Sequence, residues 1–118
     1  MRPLFLRAGL LPAILLGGCA SPRIYYWGHY EQQIYDMYVE PDNATAEAQV
    51  ETMEADIERA RSAGKPLPPG FQAHLGFLYY QLGKFDLAHR SFETEKAAFP
   101  ESTVLMDRFI KKLEGGGA

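Results

Sequence analysis

Three observations predict an all-α domain, a short array of five helices. Apolar residues recur at steps of three and four in successive segments between residues 27 and 113. No segment shows a convincing strand pattern, the two-residue alternation of a half-buried sheet. Glycine and proline punctuate the segments at Pro41, at 64–70, at Gly83 and at Pro100.

The amino terminus precedes that array and reads differently. Arg2 and Arg7 supply a basic stretch, residues 8–16 an apolar run interrupted by Pro12, and Gly17 and Gly18 the small residues before Cys19. This is the order of a secretory signal. The run is about half the roughly 20 residues that span a bilayer, which argues against a permanent transmembrane helix. Leu16-Gly17-Gly18-Cys19 resembles the bacterial lipobox. That resemblance implies cleavage before Cys19, diacylglycerol on its sulfur and acylation of its freed amine. The lone cysteine of the chain has no internal disulfide partner, so lipidation accounts for it. Ala20 is not the aspartate that commonly retains such proteins at the inner membrane, so the expected location is the outer membrane, facing the periplasm. The expected organisation is a signal peptide at 1–18, a lipidated linker at 19–24, a helical domain at 25–114 and a flexible tail at 115–118.

Composition narrows the partners. The 118 residues carry 12 basic and 15 acidic side chains, and loss of residues 1–18 would leave 100 residues with a formal charge of −5. Nucleic acid and anionic lipid both demand a basic face, so neither is expected as the main partner. An aromatic content of 13% is enough to build a core in a domain of this size.

The helices follow in order. Trp27, Tyr30, Ile34 and Tyr38 fall at steps of three, four and four, a stripe that predicts a first helix running to about Val39 and stopped by Pro41. Tyr26, Gln33 and Met37 lie beside the stripe. A second helix is expected over 45–63, started by Thr45 or Asn43, with Val50, Met53, Ile57 and Ala60 inward and Glu47, Glu51, Glu54 and Glu58 on a solvated face. Gly64 and Pro66 stop it, and "KPLPPG" at 65–70 connects it to the next segment. Beyond the connector, Leu75, Leu78, Tyr79 and Leu82 form one stripe and Phe85, Ala88, Phe92 and Phe99 another, with Gly83 between. Two amphipathic helices joined so tightly pack antiparallel. A last helix starts at Glu101 or Ser102, with Met106, Phe109, Ile110 and Leu113 inward and Asp107, Arg108, Lys111 and Lys112 outward, as a capping helix requires.

The pair after the connector resembles a tetratricopeptide repeat at Leu75-Gly76, Tyr79, Gly83, Phe85, Ala88, Phe92 and Pro100. Gly76 and Ala88 would let the helices approach, and the aromatics fill the groove between them. Gln72 stands where the family often has tryptophan, and Glu95 where a small residue is usual. One repeat is too short to be stable alone, so the helix at 45–63 and the aromatic stretch before it are expected to supply a degenerate partner repeat.

"YYWGHYE", Tyr25 to Glu31, resembles the opening of a family of small Gram-negative lipoproteins, domain of unknown function 4810, whose members share a lipobox, this tyrosine-rich stretch and a helical remainder. The resemblance covers essentially the whole chain after Cys19. It implies a role in an envelope lipoprotein assembly, with a curli-secretion-channel-like lipoprotein among the partners, and it carries no catalytic residue.

Nothing in the residues points to an enzyme. His29, His74 and His89 have no close metal-ligand spacing, no serine sits in a G-x-S-x-G setting, and no glycine loop precedes a helix to cradle phosphate. No catalytic residue, metal or cofactor is expected. The expected function is protein binding by an anchored adaptor, with Cys19 as the lipidation site and Tyr25, Tyr26, His74 and Tyr80 as partner contacts. The alternative is a structural envelope lipoprotein whose surface aromatics bind lipid or glycan.

Overall fold

The computed structural model describes residues 23–116; the expected signal peptide, the lipobox and Cys19 lie outside the described residues. Among the described residues five α-helices follow one another: α1 (Tyr30–Val39), α2 (Ala46–Ala63), α3 (Phe71–Gln81), α4 (Phe85–Ala98) and α5 (Thr103–Gly116). Prolines open the short 3₁₀ turns Pro41–Asn43 and Pro100–Ser102 before α2 and α5. There proline's fixed φ suits the first helical position and its missing N–H costs nothing. The Thr45 hydroxyl accepts a hydrogen bond from the Ala48 N–H at 3.3 Å, capping α2. Gly64 closes that helix in the left-handed conformation.

The α3–α4 pair turns back on itself. The Gly70 N–H reaches Glu95, Gly76 faces Phe92 and the Tyr80 ring lies against Phe85, so contacts pair early residues of α3 with late ones of α4. Gly76 is required by closeness: a Cβ there would stand 2.5 Å from the Phe92 ring. α5 turns back on α4 in the same manner, through Phe92 against Phe109 at 5.3 Å and Lys96 to Asp107 at 2.8 Å. Phe71, Leu75, Leu78, Tyr79, Ala88, Phe92, Met106, Ile110 and Leu113 form the core of this unit, joined by Val50 and Met53 of α2.

α2 meets α3 differently. Gln49 pairs with His74 and Glu54 with Tyr79, both at an offset of 25 residues. A constant offset means that α3 does not double back on α2 as α4 does on α3. The connector at 65–70 carries the chain back, with Pro68 fully buried. Polar ties hold α1 and the segment before it. The Gln33 side-chain amide donates to the Gln49 carbonyl at 3.2 Å, and the His29 N–H donates to Asp56 at 2.8 Å. The Tyr30 ring adds an apolar contact to Phe71 at 5.6 Å.

Several expectations change here. Trp27 precedes α1 instead of forming its first turn, because Gly28 takes φ +47 and puts its α-carbon against Asp56, where any Cβ would lie 2.5 Å from the carboxylate. α1 consequently buries Gln33, whereas Tyr38 is 78% exposed and not part of the core. Phe85 and Phe109, placed on inward stripes, are 44% and 38% exposed. α5 continues through Gly115 to Gly116, residues placed in the tail.

Candidate functional site

Two grooves lie toward opposite ends of the α3–α4 hairpin; of the residues expected to contact a partner, one holds Tyr25 and the other Tyr80, whereas Tyr26 and His74 line neither. The first collects Tyr25. Ile24 and Tyr25 run beside the connector, where the Tyr26 N–H donates to the Pro66 carbonyl at 2.9 Å. The Tyr25 ring packs edge-on against Trp27 at 6.5 Å and Phe99 at 6.1 Å. The groove, about 430 Å³, is walled by Ile24, Tyr25, Pro66, Leu67, Ala98 and Phe99, with Gln72, Thr94 and Glu95 as its polar members. Ile24 is 73% exposed.

The second groove collects Tyr80. Phe77 and Tyr80 of α3 stand one turn apart on the side away from α2, and Phe92, Phe109, Lys112 and Leu113 complete a pocket of about 110 Å³. Its lining is apolar apart from the Tyr80 hydroxyl and the Lys112 ammonium. Helices on both sides rest on the core, so the side chains start from a rigid frame. Phe77, Phe109 and Lys112 were not among the expected contacts. For Phe77 the signal was present in the sequence: like Tyr80 it is aromatic yet falls off the Leu75, Leu78, Tyr79 and Leu82 stripe.

His74 belongs to neither groove, and its expected contact role is corrected. It is buried, its Nε2 lies 3.1 Å from the Gln49 side-chain oxygen and its ring faces Tyr30 at 6.2 Å. Burial disfavours the imidazolium and holds its pKa below the ordinary 6.5. With a carbonyl oxygen as its neighbour, Nε2 carries the proton and donates. The residue closes the α2–α3 seam and offers nothing to a partner.

Glu95 also takes a role that its position did not announce. It is 2% exposed, and one carboxylate oxygen accepts the Gly70 N–H at 2.7 Å. Gly70 is the N-cap of α3, so a carboxylate from α4 supplies the negative charge that a helix start favours. The Tyr30 hydroxyl sits on the same spot, 2.7 Å from where a Gly70 Cβ would be. Burial first, and then the Glu95 charge, raises the Tyr30 pKa. Tyr79 is raised by burial too, and by its 2.6 Å hydrogen bond to Glu54. Tyr79 is thereby held as a neutral donor to Glu54.

The α1–α2 seam is the most polar part of the interior. Asp56 is fully buried and accepts from the His29 N–H, the His29 ring at 3.1 Å and Arg59 at 3.0 Å. Among the described residues no group of three or more His, Cys, Asp or Glu is arranged to hold a metal ion. No described helix is long and apolar enough to cross a membrane.

The family model described as domain of unknown function DUF4810 matches residues 24–109, and the chain belongs to that family. The match begins at Ile24, at the first groove, and ends at Phe109, in the wall of the second. No curated protein and no solved structure matches the chain.

Proposed function

We propose that this DUF4810 member is a lipid-anchored, periplasm-facing adaptor that binds another protein through the groove of Phe77, Tyr80 and Phe109. The observation that carries the reading is that groove itself: three aromatic rings, 43%, 40% and 38% exposed, stand together on a helical frame with a lysine at the rim. Rigid aromatic surfaces lose little side-chain entropy on binding and are enriched at protein interfaces. The tetratricopeptide likeness supports it, since such helix pairs commonly serve as docking frames. It applies to α3, α4 and α5; α2 lies on α3 without the reversal that a preceding repeat in the same register would show.

Cys19 supplies the anchor in this reading, through the lipobox and the outer-membrane sorting that Ala20 permits. Acyl chains confine the domain to a layer at the membrane and raise its effective concentration for partners there. The partner is a protein of the envelope, another lipoprotein such as the curli-secretion-channel-like one that the family resemblance implies. The protein works by binding, with no cofactor, metal or nucleic acid, and no catalytic group takes part.

Site-directed photocrosslinking in intact envelopes tests this. A crosslinker at position 77 or 80 is expected to trap one and the same envelope lipoprotein, identified by mass, and Phe109→Asp is expected to abolish the product. A crosslinker at Glu47, on the solvated face of α2, serves as the control. Absence of any product from 77 and 80, in a chain shown to be anchored and helical, would overturn the adaptor reading.

A further inference from the structure

We infer that the Ile24–Tyr25–Phe99 end of the domain rests on the lipid surface, so that the Tyr80 groove is held facing away from the membrane. The inference depends on the anchored reading above and deepens it by assigning the first groove an occupant, the interfacial layer of a phospholipid bilayer.

Covalent reach comes first. Four peptide steps separate Cys19 from Arg23, and consecutive α-carbons are about 3.8 Å apart, so the folded domain begins within about 15 Å of the acylated residue. The interfacial region of a bilayer is itself several ångströms thick on each side. A surface around Ile24 is therefore within reach of that layer while Cys19 stays anchored.

That surface has the matching chemistry. Ile24 projects 73% exposed, and the Tyr25 and Phe99 rings pack edge-on at 6.1 Å beside Pro66, Leu67 and Ala98, with Gln72, Thr94 and Glu95 as the polar members of the groove. Aromatic rings with one polar tip favour the headgroup level. Exposed Arg23 and Lys65 immediately precede groove residues in the chain and suit lipid phosphates, while exposed Glu101 lies two positions past Phe99. The net charge of the chain is negative, so the contact is local and apolar, not a broad electrostatic attraction.

The helix directions then set what faces outward. The groove of Tyr25 lies at the start of α3 and the end of α4, whereas Phe77 and Tyr80 lie toward the α3–α4 turn. Seating the first on lipid lifts the second off it. A rigid domain seated at two points, acyl chain and Ile24 end, would hold the partner groove at a constant height.

Trp27, the only tryptophan, lies 6.5 Å from the Tyr25 ring and reports directly. The acylated full chain is placed in vesicles of phosphatidylethanolamine and phosphatidylglycerol, with or without phospholipids brominated near the headgroup. Bromine is expected to lower Trp27 emission about twofold, and Ile24→Asp, at an exposed position that leaves helicity intact, to remove most of that loss. Equal quenching in Ile24→Asp would mean tethered proximity alone and overturn the contact. Emission blind to bromine but dependent on protein density would seat a second copy in the groove and overturn it likewise. A chain that fails to float with the vesicles would refute the anchor, and this inference with it, whereas crosslinking from position 80 tests the adaptor reading separately.

Discussion

The α3–α4–α5 unit and the seam between α1 and α2 are held by different forces. In the first, Phe71, Leu75, Leu78, Phe92, Met106 and Ile110 interdigitate, and a missing Cβ at Gly76 lets the helices close on the Phe92 ring. In the second, buried Gln33, Gln49 and Asp56 meet backbone groups and His29, while the Tyr30 ring of α1 reaches past the seam to Phe71 and His74 of α3. Apolar packing is tolerant of direction and strong per unit area. Polar ties are modest in net energy, and leaving one buried and unmade is costly. The seam therefore specifies where the amino-terminal segment lies more than it stabilises the fold. That segment carries the groove nearest the expected anchor.

Phe92→Ala should strike the apolar unit hardest. Phe92 is 3% exposed and touches both Gly76 and Phe109, so its loss opens a cavity between three helices. A loss of about 3–5 kcal/mol is expected, read from urea unfolding followed by circular dichroism. Asp56→Ala is expected to cost less, about 1–3 kcal/mol, by leaving the His29 N–H without its acceptor. Its signature should differ as well. Trp27 emission should shift to the red at lower urea than the helical signal does, because the seam opens before the core. A single coincident transition in that variant would show that the two regions are one cooperative unit.

Much of the apolar region was legible in the sequence, and little of the polar one was. The stripes Val50, Met53, Ala60 and Leu75, Leu78, Tyr79 are inward because residue type and helical position agree there. Asp56 and Gln49 occupy the same inward face of α2, Asp56 three residues after Met53 and four before Ala60, yet their polarity assigns them to water. Position carried the signal, and a polar residue on an apolar stripe needs a partner that only the fold supplies. Glu95 is the clearest case. Its use as the N-terminal charge of α3 depends on a residue 25 positions away. The groove of Phe77, Tyr80 and Phe109 required knowing that α5 returns along α4, so the residues that make it a surface were legible while the surface was not.

The pH response separates the regions through a smaller effect. Burial holds the His74 pKa below 6.5 in the folded chain, so the unfolded chain binds this proton more readily. Stability contributed at the α2–α3 seam is thus complete above about pH 6.5 and declines as pH falls through that value. Thermal midpoints between pH 7.5 and 5 should fall for the native chain and fall less for His74→Gln, which keeps a donor toward Gln49 without a titrating ring. His29 and His89 are present in both proteins, so the difference between the two curves isolates His74. Equal slopes would mean that its imidazole is accommodated in either charge state.

The smallest expected effect is the one that most directly opposes the sequence pattern. By spacing alone Tyr38 closes the stripe begun by Trp27 and Tyr30, and a core tyrosine truncated to serine would cost several kcal/mol. In the fold Gly28 turns the chain before α1 begins, the helix presents Gln33 inward, and Tyr38 is 78% exposed. Tyr38→Ser should therefore change stability by no more than about 0.5 kcal/mol, whereas Gln33→Leu should weaken the seam by removing the side-chain hydrogen bond that ties α1 to the Gln49 carbonyl. If Tyr38→Ser proved the costlier of the two, the α1 face would be rotated from the one described. The adaptor reading would then lose the clear separation between a buried polar seam and exposed aromatic grooves on which it depends.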